Sequence, residues 1–279
     1  MLLTIEHETR YNFDQSVIHG LQRLRLRPKP THGQQVVEWE TVLEGARHEA
    51  AYDDQHHNHV ELVSLEPGVR EVVITCRGTV KTADNHGILG EHSGHFPLWA
   101  FTRATPLTRA GPKVRSLAAS VAGQKEERLA MLHSLSLAVR AAVEYEPGTT
   151  DVTTTAEQSL AAGHGVCQDH AHIFISAARL LDVPARYVGG YLKMDGRVEQ
   201  DAGHGWVEAY VMGLGWVGFD VSNSISPDER YVRVTTGCDY SEAAPFTGVV
   251  TGAGPGRLSV HLSVDAPQVS QQQQQQSAP

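Results

Sequence analysis

Hydrophobic and polar residues alternate along the first hundred residues of the chain. In the opening stretch LLTIEHETRYNF, Leu3, Ile5 and Phe13 share one parity, while the charged residues share the other. This period of two predicts a strand with one buried face, because successive side chains on a strand point to opposite sides. LQRLRLRP, VVEWETVL and REVVITCRGTVK repeat the pattern. We therefore predict a β-rich domain over residues 1–105, with Cys76 as an ordinary core residue.

The spacing of the apolar residues changes after Pro106. Between residues 113 and 145 they recur every three or four positions, which predicts helix with one apolar face. A second helix is predicted over 167–181 and ends before Pro184. Its apolar residues nearly encircle it, so we expect it to be buried. Strands follow, and we assign this mixed region to a second domain, the core, over residues 106–265.

Composition limits the possible functions. The chain has 279 residues, of which 41% are hydrophobic and 20% are charged, as in a soluble globular protein. Its net charge of −9 argues against a nucleic-acid partner, which would require an excess of lysine and arginine. The first residues contain no apolar run that predicts a signal peptide or a membrane span, so we expect a cytoplasmic protein without a membrane partner. The oligomeric state stays open. Residues 266–279 are glutamine-rich and are expected to be disordered.

The segment GVCQDHAH opens the second predicted helix and contains Cys167. A buried core thiol is one interpretation, but the neighbouring side chains are unusually polar for a core position. A metal site with His164, His170 or His172 is another. Cys167 and His172 would lie about 140° apart around a helix, however, and too few ligands converge for structural zinc, unless His204 contributes from elsewhere.

A nucleophile at the start of the helix is the third interpretation of Cys167. The free N–H groups and the positive dipole end of a helix N-terminus stabilise a thiolate. The same N–H groups can stabilise an oxyanion on a substrate. This interpretation requires a base and a group that orients the base.

Three other features receive modest assignments. Asp169 lies in the first helical turn, where a carboxylate favours the dipole, so a role in starting the helix is preferred over catalysis. The histidine-rich segment 53–59 is expected to be a polar loop rather than a metal site. Cys238 lies in a loop-like segment and receives no role.

The segment HGWVEAYVMGLGWVGFD predicts a β-hairpin that turns at MGLG. Its odd-numbered positions are apolar, and His204 and Asp220 are even-numbered. If even residues pair with even residues, His204 and Asp220 share the face opposite the apolar one. His204 could then take the proton of Cys167, while Asp220 holds the other imidazole nitrogen. Four further residues are candidates to line a substrate cleft: Trp206, Trp216, Glu208 and Gln168. The tryptophans could equally pack in the interior, and Glu208 could be solvated.

Three separated segments resemble one protein family. GVCQDHAHIFISAARLLDVPARYVGGYL and then HGWVEAYVMGLGWVGFD resemble the core of the transglutaminase-like superfamily. YNFDQSVIHGLQRLRLRPKP resembles the β-rich domain that precedes this core in a bacterial subfamily, and DERYVRVTTGCDYSEAAPFTGV resembles the segment after its aspartate. The resemblance implies an α+β fold, with a papain-like core whose helix-borne cysteine packs on an antiparallel sheet. It also implies a triad of Cys167, His204 and Asp220.

The resemblance implies cysteine-dependent acyl transfer through a thioester on a peptide or protein substrate, without a metal or an organic cofactor. Hydrolysis by a cysteine protease or amidase is the expected reaction. A protein-glutamine transglutaminase with an amine acceptor and a catalytically silent peptide-binding module are the alternatives. The chain departs from the family pattern at His164, where an arginine is expected, at His170, where an aromatic residue is common, and in DVSNS after the aspartate. These departures bear on substrate preference.

Overall fold

The computed structural model describes residues 1–124, 127–254 and 256–266, so the predicted disordered tail lies outside the described residues from 267 onward. The helices are α1 Pro112–Val121, α2 Arg128–Ala142, α3 Ala156–Ala162, α4 Cys167–Leu180 and α5 Tyr240–Ala243, with 3-10 turns at Leu98–Thr102 and Ala122–Gln124. The strands are β1 Leu2–Phe13, β2 His19–Leu24, β3 Gln34–Glu44, β4 Ala46–Asp53, β5 His59–Leu65, β6 Glu71–Thr82, β7 Ile88–Gly90, β8 Glu144–Tyr145, β9 His164–Gly165, β10 Ala185–Leu192, β11 Glu199–Gln200, β12 His204–Val211, β13 Gly215–Phe219, β14 Tyr231–Gly237, β15 Phe246–Thr251 and β16 Gly256–Asp265. Within the described ranges, none of the helices is both long enough and apolar enough to cross a bilayer.

The β-rich part consists of two antiparallel sheets. One has the order β11-β16-β1-β6-β3 and the other the order β15-β2-β5-β4. Their apolar faces meet in a core that contains the fully buried Cys76, which confirms its predicted place. The predicted alternation stops early in β2, which ends at Leu24. Arg25 is therefore buried rather than solvent-facing, and its Nε donates to Asp54 at 3.2 Å.

The second part combines helices with the antiparallel sheet β14-β10-β12-β13-β7. Helix α4 packs on β10 and β12 and against α1, α2 and α3, and its apolar residues join the main core. The predicted second helix is confirmed, whereas the predicted helical stretch 113–145 contains two helices, α1 and α2. Helix α3 was not predicted, although Thr155 and Gln158 form a capping box at its start. The Thr-x-x-Gln spacing of such a box is visible in the sequence.

The two parts exchange chain segments. β15 pairs with β2, and β16 pairs with β1 along ten residue pairs, so these two strands belong to the β-rich sheets. The predicted extent of the core, 106–265, therefore differs from the sheets at its C-terminal end, because local patterns do not reveal pairing between strands so far apart. The structure is an α+β fold. Along the chain, the core elements stand between strands that belong to the β-rich part.

Candidate active site

Cys167 is the first residue of helix α4, at the end with free N–H groups. The Asp169 carboxylate accepts the Val166 N–H at 2.8 Å and the Thr150 hydroxyl at 2.7 Å, which confirms its role at the helix start. Cys167 is partly exposed and opens into a cavity of about 420 Å³, which we call the cleft. The buried helix behind Cys167 thus holds its thiol at the wall of this cavity.

The hairpin that carries the predicted base is formed by β12 and β13. Val207 opposes Phe219 and Tyr210 opposes Trp216, so residues of equal parity pair, as predicted. Val211 opposes Gly215, which leaves a three-residue loop. The odd-numbered apolar residues pack into the core with α4. The opposite face is therefore free to carry polar side chains.

His204, at the start of β12, lies against Asp220. Its Nε2 is 2.7 Å from Asp220 Oδ2, and the imidazole lines the same cleft as Cys167. Asp220 is fully buried and accepts further hydrogen bonds from the Tyr231 hydroxyl at 2.6 Å and the Asn223 amide at 2.7 Å. The structure thus places His204 against Asp220, and His204 and Cys167 line the same cavity. Their catalytic roles stay a prediction.

The electrostatics of the site favour a charged imidazole. Burial alone would lower the pKa of His204, but its hydrogen bonds to Asp220 and Cys167, and the negative charges of both, raise it to about 10. Burial would raise the pKa of Asp220, but hydrogen bonds from His204, Tyr231 and Asn223 lower it. At neutral pH the pair is therefore an imidazolium beside a carboxylate.

Two departures from the family pattern contact each other. His170 Nδ1 is 2.8 Å from the hydroxyl of Ser222, which lies in the DVSNS segment, and His170 Nε2 is 3.1 Å from the Val143 carbonyl oxygen. The next residue of that segment, Asn223, donates to Asp220. His170 and the DVSNS segment therefore connect helix α4 to the loop that begins at Asp220.

The four predicted cleft residues lie in different places. Gln168 lines the cleft. Trp206 lies beside His204, with ring centroids 6.2 Å apart and an interplanar angle of 24°, but it does not line the cleft. Trp216 lines a separate cavity of about 670 Å³, and the Arg186 guanidinium lies 3.8 Å from its ring centroid.

Glu208 is not solvated, contrary to the interpretation left open by the sequence. It is fully buried and forms ion pairs with Arg186 and Arg233, each at 2.6 Å. Burial opposes its ionisation, but the two guanidinium groups lower its pKa to about 2. The β-rich part reaches over this sheet face, where Gln34 donates to the Arg233 carbonyl oxygen at 2.8 Å. Parity identified the face correctly but not what covers it.

The cleft has a second wall that sequence reasoning missed. It is formed by residues of the β-rich part, where His7 and Arg25 accompany several apolar or aromatic residues, among them Tyr11, Phe246, Leu258 and Val260. Alternation along β1 shows which residues share a face of the sheet with Tyr11. Only the strand pairing shows which face of the sheet meets the core. Tyr231, which holds Asp220, was missed for the same reason.

One group of described residues outside the cleft offers possible metal ligands. Nitrogen, sulfur and oxygen atoms of His56, Cys238 and Glu242 lie within 4.8 Å of one another. Glu242 Oε2 is 2.8 Å from His56 Nε2. The predicted polar loop 53–59 therefore places one of its histidines in the interior.

Comparison with known proteins places this geometry in a family. Residues 115–221 match the model of the transglutaminase-like superfamily, and residues 3–81 match the model of the bacterial transglutaminase-like N-terminal region. The chain belongs to the transglutaminase-like superfamily. The matched core contains all three residues described above, and the second match contains the β-rich wall residue Tyr11.

Relatives of this transglutaminase-like protein extend the comparison. An uncharacterized protein of Mycobacterium leprae is 26% identical over 287 residues, which cover 94% of this chain and 98% of that protein. One of Mycobacterium bovis is 31% identical over 147 residues, or 49% of this chain and 47% of that protein. A crystal structure described as "a Putative Cysteine Protease from Cytophaga hutchinsonii" has a TM-score of 0.72 at 20% identity, and covers 95% of this chain and 90% of that one. This likeness concerns the fold, and it agrees with the predicted fold class.

Proposed function

We propose that this protein is a cysteine-dependent peptide or amide hydrolase. One observation carries the proposal: His204 binds Asp220 through Nε2 and lines the same cleft as Cys167, whose thiol lies at a helix N-terminus. A nucleophile, a base and an orienting carboxylate in this order are the parts required for attack on a carbonyl carbon.

In the first half-reaction the Cys167 thiolate forms a bond to the substrate carbonyl carbon. The resulting oxyanion is stabilised by the free N–H groups at the start of α4. His204 then donates its proton to the amide nitrogen, the C–N bond breaks, and the amine leaves. The product is a thioester between the acyl group and Cys167.

In the second half-reaction water replaces the amine. His204, now neutral, takes a proton from the water molecule as its oxygen attacks the thioester carbon. The C–S bond breaks, the carboxylic acid leaves, and Cys167 returns as a thiolate beside protonated His204. Asp220 keeps the imidazole in one orientation throughout and stays ionised.

Water is favoured over an amine as the acceptor because of the form of the cleft. Amine transfer requires a second binding site that shields the thioester from water. Trp206 and Trp216, the two tryptophans that could wall such a site, do not line the cleft that contains Cys167.

The test is a peptide-library digest of the wild type beside Cys167→Ala, with and without a labelled primary amine. We expect new carboxylic acids and amines that require Cys167. Efficient incorporation of the amine with little free acid would show that the protein is a transglutaminase and not a hydrolase. No reaction with any peptide, together with peptide binding, would favour the silent binding module.

A further inference from the structure

We infer that the cleft receives a bulky, uncharged apolar side chain of the substrate and that the β-rich part supplies the surface that recognises it. The inference rests on the proposed function, because the side chain belongs to the peptide whose carbonyl group Cys167 attacks. It adds a substrate class to the reaction.

The recognising surface is built by the pairing of the first and last strands. Tyr11 of β1 opposes Leu258 of β16, and Thr9 opposes Val260. These pairs share one face of the sheet, since successive residues of a strand alternate between faces. Phe246 of β15 adds its ring, whose centroid is 5.9 Å from that of Tyr11 in an edge-to-face contact.

This surface is left open although it is apolar. Leu258 is 55% exposed, while Tyr11, Phe246 and Val260 are only partly buried. All four line the same cavity as Cys167 and His204. Apolar groups that stay accessible inside a concave site gain contact only when a ligand fills it. A ligand attached to Cys167 is the molecule that can reach them.

The charges around the cleft point to an uncharged occupant. Among the described residues that line it there is no aspartate, glutamate or lysine. The charge of Arg25 is matched by Asp54, with Nε and Oδ2 3.2 Å apart, and the charge of His204 is matched by Asp220, with Nε2 and Oδ2 2.7 Å apart. His7 Nδ1 lies 2.9 Å from the hydroxyl of Tyr191 on the core strand β10, and burial lowers the pKa of His7 to about 4, so it is neutral. A charged side chain would lose its hydration here without a free partner.

The test compares two alkylating agents at Cys167, because alkylation does not depend on hydrolysis. The rates of N-benzyliodoacetamide and iodoacetamide are measured by mass spectrometry, and their ratio is divided by the ratio for glutathione. We expect a normalised preference of at least about ten-fold for the benzyl reagent, since about 1.4 kcal/mol of apolar contact gives that factor. Iodoacetate, which is small and charged, should show no preference over iodoacetamide beyond that of glutathione.

Variants locate the preference. Leu258→Glu places a charge on the proposed surface and should reduce the normalised preference to about one. Val249→Glu is the matched control, because Val249 is 73% exposed on the opposite face of β15 from Phe246 and does not line the cleft. It should retain the preference of the wild type.

The outcomes separate the inference from the proposed function. A normalised ratio of one in the wild type overturns the inference whether or not peptides are cleaved, and it needs no variant to fold. A preference that Val249→Glu removes as fully as Leu258→Glu also overturns it. If the preference is present and depends on Leu258, but no peptide is hydrolysed, the inference stands and the proposed hydrolase function fails.

Discussion

Two clusters in this protein combine a cysteine, a histidine and a carboxylate: Cys167 with His204 and Asp220, and Cys238 with His56 and Glu242. We call them the cleft cluster and the buried cluster. In each, the histidine Nε2 lies against a carboxylate oxygen, at 2.7 Å in the cleft cluster and 2.8 Å in the buried cluster. The same types of side chain therefore occur twice in one fold.

The clusters differ in the order of their contacts and in their surroundings. In the cleft cluster the histidine lies between the thiol and the carboxylate. In the buried cluster Glu242 lies in the middle, since it also accepts the Cys238 N–H at 2.8 Å. Cys238 packs with Phe101 and Trp216, and burial, followed by the charge of Glu242, raises its pKa to about 12. Cys167 lies at a helix N-terminus, opens into a cavity and shares that cavity with an imidazole, and such surroundings are typical of nucleophilic thiols.

The largest difference is expected when each cysteine is removed. Cys167→Ala should lower kcat/KM for peptide hydrolysis by at least about a thousand-fold, because no other group can form the thioester. Cys238→Ala is the control and should stay within about three-fold of the wild type. Substantial activity in Cys167→Ala would contradict the assignment of the nucleophile.

The next largest difference between the clusters is expected when the histidine or carboxylate beside each thiol is substituted. His204→Ala should lower kcat/KM by about a thousand-fold and Asp220→Asn by about a hundred-fold, since the carboxylate acts only by orienting and stabilising the imidazolium. Glu242→Gln changes the corresponding carboxylate of the buried cluster and should leave kcat/KM nearly unchanged. Equal losses in Asp220→Asn and Glu242→Gln would remove the distinction between the clusters.

Alkylation compares the thiols without a substrate. At about pH 6, iodoacetamide should label Cys167 at least about ten-fold faster than Cys238 in the folded protein. Cys76 should also be slow, because burial raises its pKa to about 12. Mass spectrometry of the labelled peptides measures all three rates, and His204→Ala should slow the labelling of Cys167 alone. Similar rates at the three cysteines would argue against an activated thiol.

The smallest effects concern stability, and they lie at opposite ends of the pH scale. His204 has a folded-state pKa of about 10 against an ordinary 6.5, so its stabilisation is complete below pH 6.5 and is lost as pH rises towards 10. A hydrogen bond from His56, opposed by burial, lowers the pKa of Glu242 to about 2 from 4.5, so its stabilisation is present above pH 4.5 and is lost as pH falls towards 2.

Thermal unfolding as a function of pH measures both contributions. His204→Ala should remove a fall in Tm of roughly 3 °C on the alkaline side. Glu242→Gln should remove a smaller fall on the acidic side, because the Glu242 side chain is 37% exposed and solvent screens its charge. If His204→Ala changes Tm equally at pH 6 and pH 10, the charged state assigned to His204 is wrong.

Local rules determine most of the arrangement of the cleft cluster, and the catalytic roles of its residues stay a prediction. The alternation in the hairpin identified the shared face of His204 and Asp220, and the polar start of an apolar helix identified Cys167. The sequence did not predict the burial of Glu208, because parity says which face a side chain occupies but not what covers that face. Tyr11 and Leu258 meet only through pairing between the two ends of the chain, and no local pattern encodes such a contact.

The pairing of β1 with β16 has a consequence for biosynthesis. β1 is translated before its second partner strand β16, and the interval is roughly 10–50 s at ordinary rates of 5–20 residues per second. During that interval β1 presents an unpaired edge, which other chains could join. Leu258 and Val260 lie in β16 and are translated after His204. A ribosome-bound chain therefore contains Cys167 and His204 before it contains the strand that completes the cleft.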